Sequence, residues 1–167
     1  MRVLILTMMV SFGLFALPNK PVEKVDLKRY AGVWYSQYSI PTMFDRGTRE
    51  TTARYTWSPK GYYNSFTTYK KPNSEEIYST TSKIFPVSKT NNAQMKAQFI
   101  WPYKVDYWVI ELADDYSYAV VGHPDTKFLF IMTRQKVMDK KLYLEIVERC
   151  KQKGYDVSKL ISQNHRN

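Results

Sequence analysis

Side chains able to run acid–base, nucleophilic or metal chemistry are scarce in this chain of 167 residues, which has two histidines and one cysteine. His123 sits in the turn-like stretch Gly122-His123-Pro124-Asp125, and His165 stands near the C-terminus. Asp114-Asp115 is a carboxylate pair with the composition of a hairpin turn. Two His and one Cys fall short of the four ligands of a typical zinc site. Cys150 lies in a helical pattern beside Ile146 and Val147, where a buried structural thiol is expected rather than a nucleophile or an intermolecular bridge. These residue types argue against an enzyme and predict no catalytic residue, cofactor or metal.

The chemistry on offer is aromatic. The chain carries 14 Tyr, 8 Phe and 4 Trp, a balance that suits strands and sites with one dry and one wet end. Gly32-Val33-Trp34 opens the first strand-like run and Arg134 closes the last. An indole filling one end of a barrel, with a guanidinium laid flat on it, makes a plug worth about 0.5–2 kcal/mol. A barrel plugged at one end is a cup, and an apolar cup holds a hydrophobic molecule.

The elements that must position these groups follow from periodicity. Val33 to Ile40 is strand-like and ends at Pro41, which cannot donate to a ladder. Thr51 to Trp57 alternates, with Ala53, Tyr55 and Trp57 on one face. After the turn Ser58-Pro59-Lys60-Gly61 a third strand runs through Tyr69, and Lys71-Pro72-Asn73-Ser74 leads to Ile77 to Phe85. Ala93 to Phe99 puts Met95, Ala97 and Phe99 together, and Tyr107 to Leu112 puts Trp108, Ile110 and Leu112 opposite Glu111. Tyr116 to Gly122 and Lys127 to Arg134 complete the set. The expected fold is all-β: an eight-stranded antiparallel up-and-down β-barrel, whose closure removes its edges, with one C-terminal α-helix packed on the outside. Asp139 would cap that helix. Leu142, Ile146 and Cys150, with Leu144 and Val147 beside them, form its stripe, and Gly154 ends it. Asp156 to Leu160 reads as a short extra strand.

The domain plan is a signal peptide over 1–16, an arm over 17–25, barrel and helix over 26–163 and a tail over 164–167. Met1-Arg2 followed by a largely apolar run from Val3 to Phe15 has the length of a signal-peptide core and not of a bilayer span. Export by a cleaved leader, to the periplasm or outside the cell, is expected. No Cys follows the run to be acylated. A net charge of +10 favours anionic partners such as lipid headgroups. The basic residues are scattered and form no stripe, so nucleic acid is not expected. A basic barrel binding single strands or an acidic membrane surface through its exterior remains the alternative function.

Several motifs together resemble the lipocalins, in particular the bacterial outer-membrane lipocalin and apolipoprotein D group. They are Asp26-Leu27-Lys28-Arg29-Tyr30-Ala31-Gly32-Val33-Trp34-Tyr35, Ala53-Arg54-Tyr55, and Phe99-Ile100-Trp101-Pro102-Tyr103 leading into Tyr107-Trp108-Val109-Ile110. Tyr118-Ala119-Val120-Val121, Phe128 to Arg134 and Gly154-Tyr155-Asp156-Val157-Ser158-Lys159 continue the likeness, which spans about Asp26 to Ile161. The chain departs from the pattern at Leu112-Ala113-Asp114, where the family has Thr-Asp-Tyr. It also lacks the acylated Cys of bacterial members and the disulfides of animal ones.

The resemblance implies transport or storage of a small hydrophobic ligand, a fatty acid or lysophospholipid, by a monomer or homodimer with at most weak membrane-surface association. It implies Gly32, Trp34 and Arg134 as barrel-closing residues. It further implies Tyr38, Tyr55, Trp57, Phe99, Trp108, Ile110, Tyr116, Tyr118 and Phe130 as ligand-binding residues, with Ile40 also on the inner face. Arg46, Arg49 and Lys70 would form a basic rim for an anionic head.

Overall fold

A computed structural model describes residues 16–43, 45–87 and 91–165. The expected signal-peptide core and Phe44 lie outside them. Eight antiparallel strands follow a short N-terminal helix, α1 (Leu27–Tyr30), whose cap Asp26 accepts from the backbone N–H groups of Lys28 and Arg29. They are β1 (Gly32–Ile40), β2 (Arg49–Ser58), β3 (Tyr62–Lys70), β4 (Ile77–Pro86), β5 (Gln94–Ile100), β6 (Tyr103–Leu112), β7 (Tyr118–Gly122) and β8 (Leu129–Thr133). Each pairs with the next, and β1 pairs with both β2 and β8, so the sheet closes on itself. The expected eight-stranded barrel is the fold observed.

Helix α2 (Lys140–Gln152) follows, capped where Asp139 accepts from Leu142 N. Ile146 and Cys150 are its fully buried positions. Leu144 is not on the buried stripe: it is 55 % exposed, and Tyr143 takes the inner position by stacking on Tyr38 at 3.9 Å. The segment expected as an extra strand from Asp156 is instead a 3-10 turn over Val157–Lys159. The strand, β9, is the next two residues, Ile161–Ser162, paired with Tyr38 and Ser39 of β1.

Described residues of both flanks are held against the barrel. In the arm, Val22 N donates to Val109 O and Val25 N to Asn91 O, and Val25 is fully buried. In the segment expected as a tail, His165 Nε2 lies 3.0 Å from Ser36 O and 3.2 Å from Thr51 O across the β1–β2 seam.

Two apolar layers share the sheet. One fills the barrel's closed end around Tyr30, Trp34, Tyr63 and Met95. The other lies outside, where α2 covers β6, β7, β8 and part of β1 with Ile110, Val120, Ile131 and Ile146 between them. Gly122 makes that contact tight. A Cβ there would stand 2.0 Å from Tyr155 Oη, which itself donates to His123 O at 3.1 Å. An ion cluster pins the same face, with the carboxylate of Glu111 accepting from Arg149 Nε at 3.0 Å and Lys153 Nζ at 2.7 Å.

Candidate functional site: a cavity closed at one end

The closed end is built from Arg134. Its guanidinium lies 3.6 Å from the centroid of the Trp34 ring and donates to the carbonyls of Val33, Arg29 and Ala31 at 2.7, 2.7 and 2.9 Å. Three carbonyls of the α1–β1 connection are thereby tied to the end of β8. Trp34 Nε1 donates to Tyr30 O at 2.9 Å, so the indole is satisfied although fully buried. Gly32 permits the contact: its φ is +98°, and a Cβ would sit 3.3 Å from Arg134 Nη1. The positive φ is what favours glycine there, and the added Cβ would also press on the guanidinium.

Above this floor lies an open cavity of about 730 Å³, within the range of about 300–1,000 Å³ usual for small-molecule sites. Trp34, Tyr55 and Tyr107 form its bottom. Ile84, Ala97, Phe99, Val105, Phe130 and Met132 supply an apolar wall. Hydroxyls occupy the opposite side: Thr51 on β2, Ser65 and Thr67 on β3, Thr80 and Ser82 on β4. The mouth is formed by the β1–β2 connection, with Met43 and Asp45, and by His123, Lys127 and Phe128 before β8. His123 is therefore not simply a solvated turn residue. Its Nδ1 accepts from Asp125 N at 3.0 Å, and its ring meets Phe128 edge-on.

The expected ligand-binding residues divide. Tyr55, Phe99 and Phe130 line the cavity. Tyr38, Trp108, Ile110 and Tyr118 do not; they pack in the outer layer beneath α2. Two bulges and the helix explain this. In β1, Ser36 faces Met132 and Tyr38 faces Ile131, so Gln37 is an extra residue. Gln37 Nε2 donates to Thr133 Oγ1 at 2.8 Å and Tyr38 turns outward, taking Ile40 with it into the outer layer. In β6, Val109 faces Val121 and Glu111 faces Val120, leaving Ile110 as the extra residue. Tyr107 and Val109 face in, where the alternation had suggested Trp108 and Ile110. Because α2 dries the outside of this wall, both faces are apolar and polarity does not mark the inner one.

Tyr116 belongs to the closed end. It lies in the β6–β7 turn, with its hydroxyl accepting from Asp26 N at 2.8 Å and Arg29 over its ring at 4.0 Å. Trp57 lies beyond the floor, 38 % exposed and edge-on to Tyr63 at 5.0 Å.

The basic rim is also different from expectation. Arg49 contacts Glu50 at 2.5 Å and Glu75 at 2.6 Å, and Lys70 contacts the same two carboxylates at 3.3 and 2.7 Å. These hydrogen bonds from Lys70 and Arg49 hold the Glu75 carboxyl down to about 2. Two cations and two carboxylates cancel; of the other cations near the opening, Arg46 is exposed, and the cavity-lining Lys127 pairs with Asp125 at 3.1 Å.

The hydroxyl wall and Tyr107 were not singled out from sequence. Their signal was present in the Ser/Thr alternation of β3 and β4, at Ser65, Thr67, Thr80 and Ser82, but it reads equally as an exposed polar face. Cys150 is fully buried beneath the helix, and burial pushes its thiol up to about 12, so it is a structural residue and not an exposed thiol.

A plugged antiparallel barrel with an outer helix and an open apolar cavity defines a class of small-molecule binding proteins. The family model described as a lipocalin-like domain matches residues 25–165, and the chain belongs to the lipocalins. It is 32 % identical over 148 residues to temperature-induced lipocalin-1 of Arabidopsis thaliana, covering 83 % of this chain and 78 % of that protein. It is 28 % identical over 161 residues to the outer membrane lipoprotein Blc of Vibrio cholerae, covering 95 % and 94 %. Insecticyanin from Manduca sexta shares the fold, with a TM-score of 0.70 at 20 % identity over 92 % of this chain and 87 % of that one. The family binds small hydrophobic ligands and is a binding and transport family rather than an enzymatic one.

Proposed function

We propose that this protein carries or stores a long-chain lipid, a fatty acid or lysophospholipid, in the barrel cavity. The observation that carries the reading is the open cavity of about 730 Å³, floored by Trp34, Tyr55 and Tyr107 and walled by Phe99, Phe130 and Met132. Each CH₂ removed from water contributes about 0.8 kcal/mol, so a 16-carbon tail supplies on the order of 10 kcal/mol before ordering losses. Micromolar affinity needs about 8 kcal/mol. Likeness to a protein named an outer membrane lipoprotein supports export as the route.

Because Trp34 lines the cavity, palmitate should quench its emission in a saturable titration. Native mass spectrometry of protein purified without detergent should show a co-purified lipid. A protein that retains no lipid and whose emission is unchanged by palmitate or lysophosphatidylcholine would refute the reading.

The mouth supports a membrane surface as the place of exchange. Ile100, Trp101 and Tyr103 at the β5–β6 hairpin are 58, 82 and 76 % exposed, beside Lys104. Replacing Trp101 and Tyr103 by Ser should abolish co-sedimentation with anionic vesicles and leave palmitate affinity unchanged.

A further inference from the structure

Among the described residues, the floor of the cavity holds one more hydroxyl proton than its contacts use. Tyr30 Oη lies 2.9 Å from Tyr107 Oη, and Tyr55 Oη lies 3.0 Å from the same atom. Three hydroxyls bring three protons, and two contacts use two of them. Among the described residues these oxygens make no other hydrogen bond. Whichever way the cluster orients, one O–H points elsewhere. Tyr55 and Tyr107 line the cavity, while Tyr30 is fully buried behind them, so the space into which that proton can turn is the ligand's.

The cluster cannot relieve itself by ionising. Burial pushes the Tyr55 hydroxyl up to about 12 and holds those of Tyr30 and Tyr107 well above the ordinary tyrosine value. A ligand cation would bring donors to a donor. A ligand carboxylate would be stripped of water at the bottom of an apolar cup, with the Arg134 guanidinium shielded behind the Trp34 ring. A neutral oxygen suits the place. The hydroxyl wall above extends the same preference, because Ser65 Oγ and Thr67 Oγ1, 3.3 Å apart, and the residues Thr80 and Ser82 also line the cavity.

We propose that the cavity selects oxygenated hydrophobes, and that the buried end of its ligand carries a neutral oxygen acceptor (keto, ester or ether) that receives a hydrogen bond from the Tyr55–Tyr107 pair. This rests on the cavity being the lipid site. It goes further in stating that a plain alkyl end is the poorer ligand.

The test compares heptadecanoic acid with 16-oxoheptadecanoic acid, which differ by one keto oxygen next to the buried methyl, using isothermal titration calorimetry. The native protein should bind the keto acid about tenfold more tightly, the scale of one satisfied hydrogen bond. The double variant Tyr55→Phe/Tyr107→Phe should lose the preference and bind the two acids with equal affinity, its circular dichroism spectrum and thermal unfolding midpoint serving as the control for folding. Equal affinities in the native protein, or a keto preference that survives in the double variant, overturn the inference and leave the lipid-carrier reading standing. Failure to bind either acid overturns both. Should the double variant not fold, the native comparison alone decides.

Discussion

The barrel has two unlike walls. Strands β6, β7 and β8, with part of β1, are sandwiched between cavity and helix, whereas β2, β3 and β4 have the cavity on one side and solvent on the other. The sandwiched wall is apolar on both faces and carries both bulges that redirect side chains. From Thr52 onward, past an irregularity between Arg49 and Thr52, the bare wall keeps a period of two, with hydroxyls inside and Phe66, Lys83 and their neighbours outside. Stability is therefore concentrated in one wall, and ligand discrimination is free to reside in the other. Where the outer face is dry, a substitution disturbs two packed layers. Where it is wet, the inner face can carry polar groups at little cost to folding.

That contrast can be broken at graded sites. Ile146→Ala, under the sandwiched wall, should cost about 2–5 kcal/mol in urea unfolding, because a fully buried side chain leaves a cavity between helix and sheet. Gly122→Ala should cost about 1–3 kcal/mol by overpacking, since Tyr155 must give way at a contact of 2.0 Å. Phe66→Ala on the outside of the bare wall, 47 % exposed, should cost under about 1 kcal/mol. A loss there equal to that of Ile146→Ala would remove the distinction.

The seam between the walls supplies a pH test. Burial depresses the His165 pKa below its ordinary value, where the imidazole joins Ser36 O of β1 to Thr51 O of β2. A histidine held neutral in the fold binds fewer protons than in the unfolded chain. Its contribution is therefore present above about pH 6.5, the unfolded value, and is lost as pH falls toward the folded one. Unfolding midpoints measured from pH 7.5 to 5 should decline by a small amount that His165→Gln removes. An identical pH profile in that variant would show the seam to be insensitive to this group. Smallest of all, Thr67→Val on the inner bare wall should change stability by less than about 0.5 kcal/mol.

The two walls also explain which parts could be read in advance. On β2 and β5 one face is drier than the other, and alternation alone placed Ala53, Tyr55, Met95, Ala97 and Phe99 inside. On β6 and β7 the same reasoning put Trp108, Ile110 and Tyr118 in the cavity when they lie under the helix. A period of two reveals that faces differ, but it cannot say which of two apolar faces meets the ligand. Only the docking of α2 decides that.

From the amino acids alone came the strand count, the hairpin connections, the capped helix and the Trp34–Arg134 plug. These rest on local rules: turn residues, side-chain period and the complementary chemistry of an indole and a guanidinium. Tertiary structure alone decided the inner face of the helix-covered wall, the pairing of Arg49 and Lys70 with Glu50 and Glu75, and the meeting of Tyr30, Tyr55 and Tyr107. Each of these depends on residues far apart in the chain becoming neighbours once the sheet closes, and no local pattern encodes which distant partner a side chain will meet.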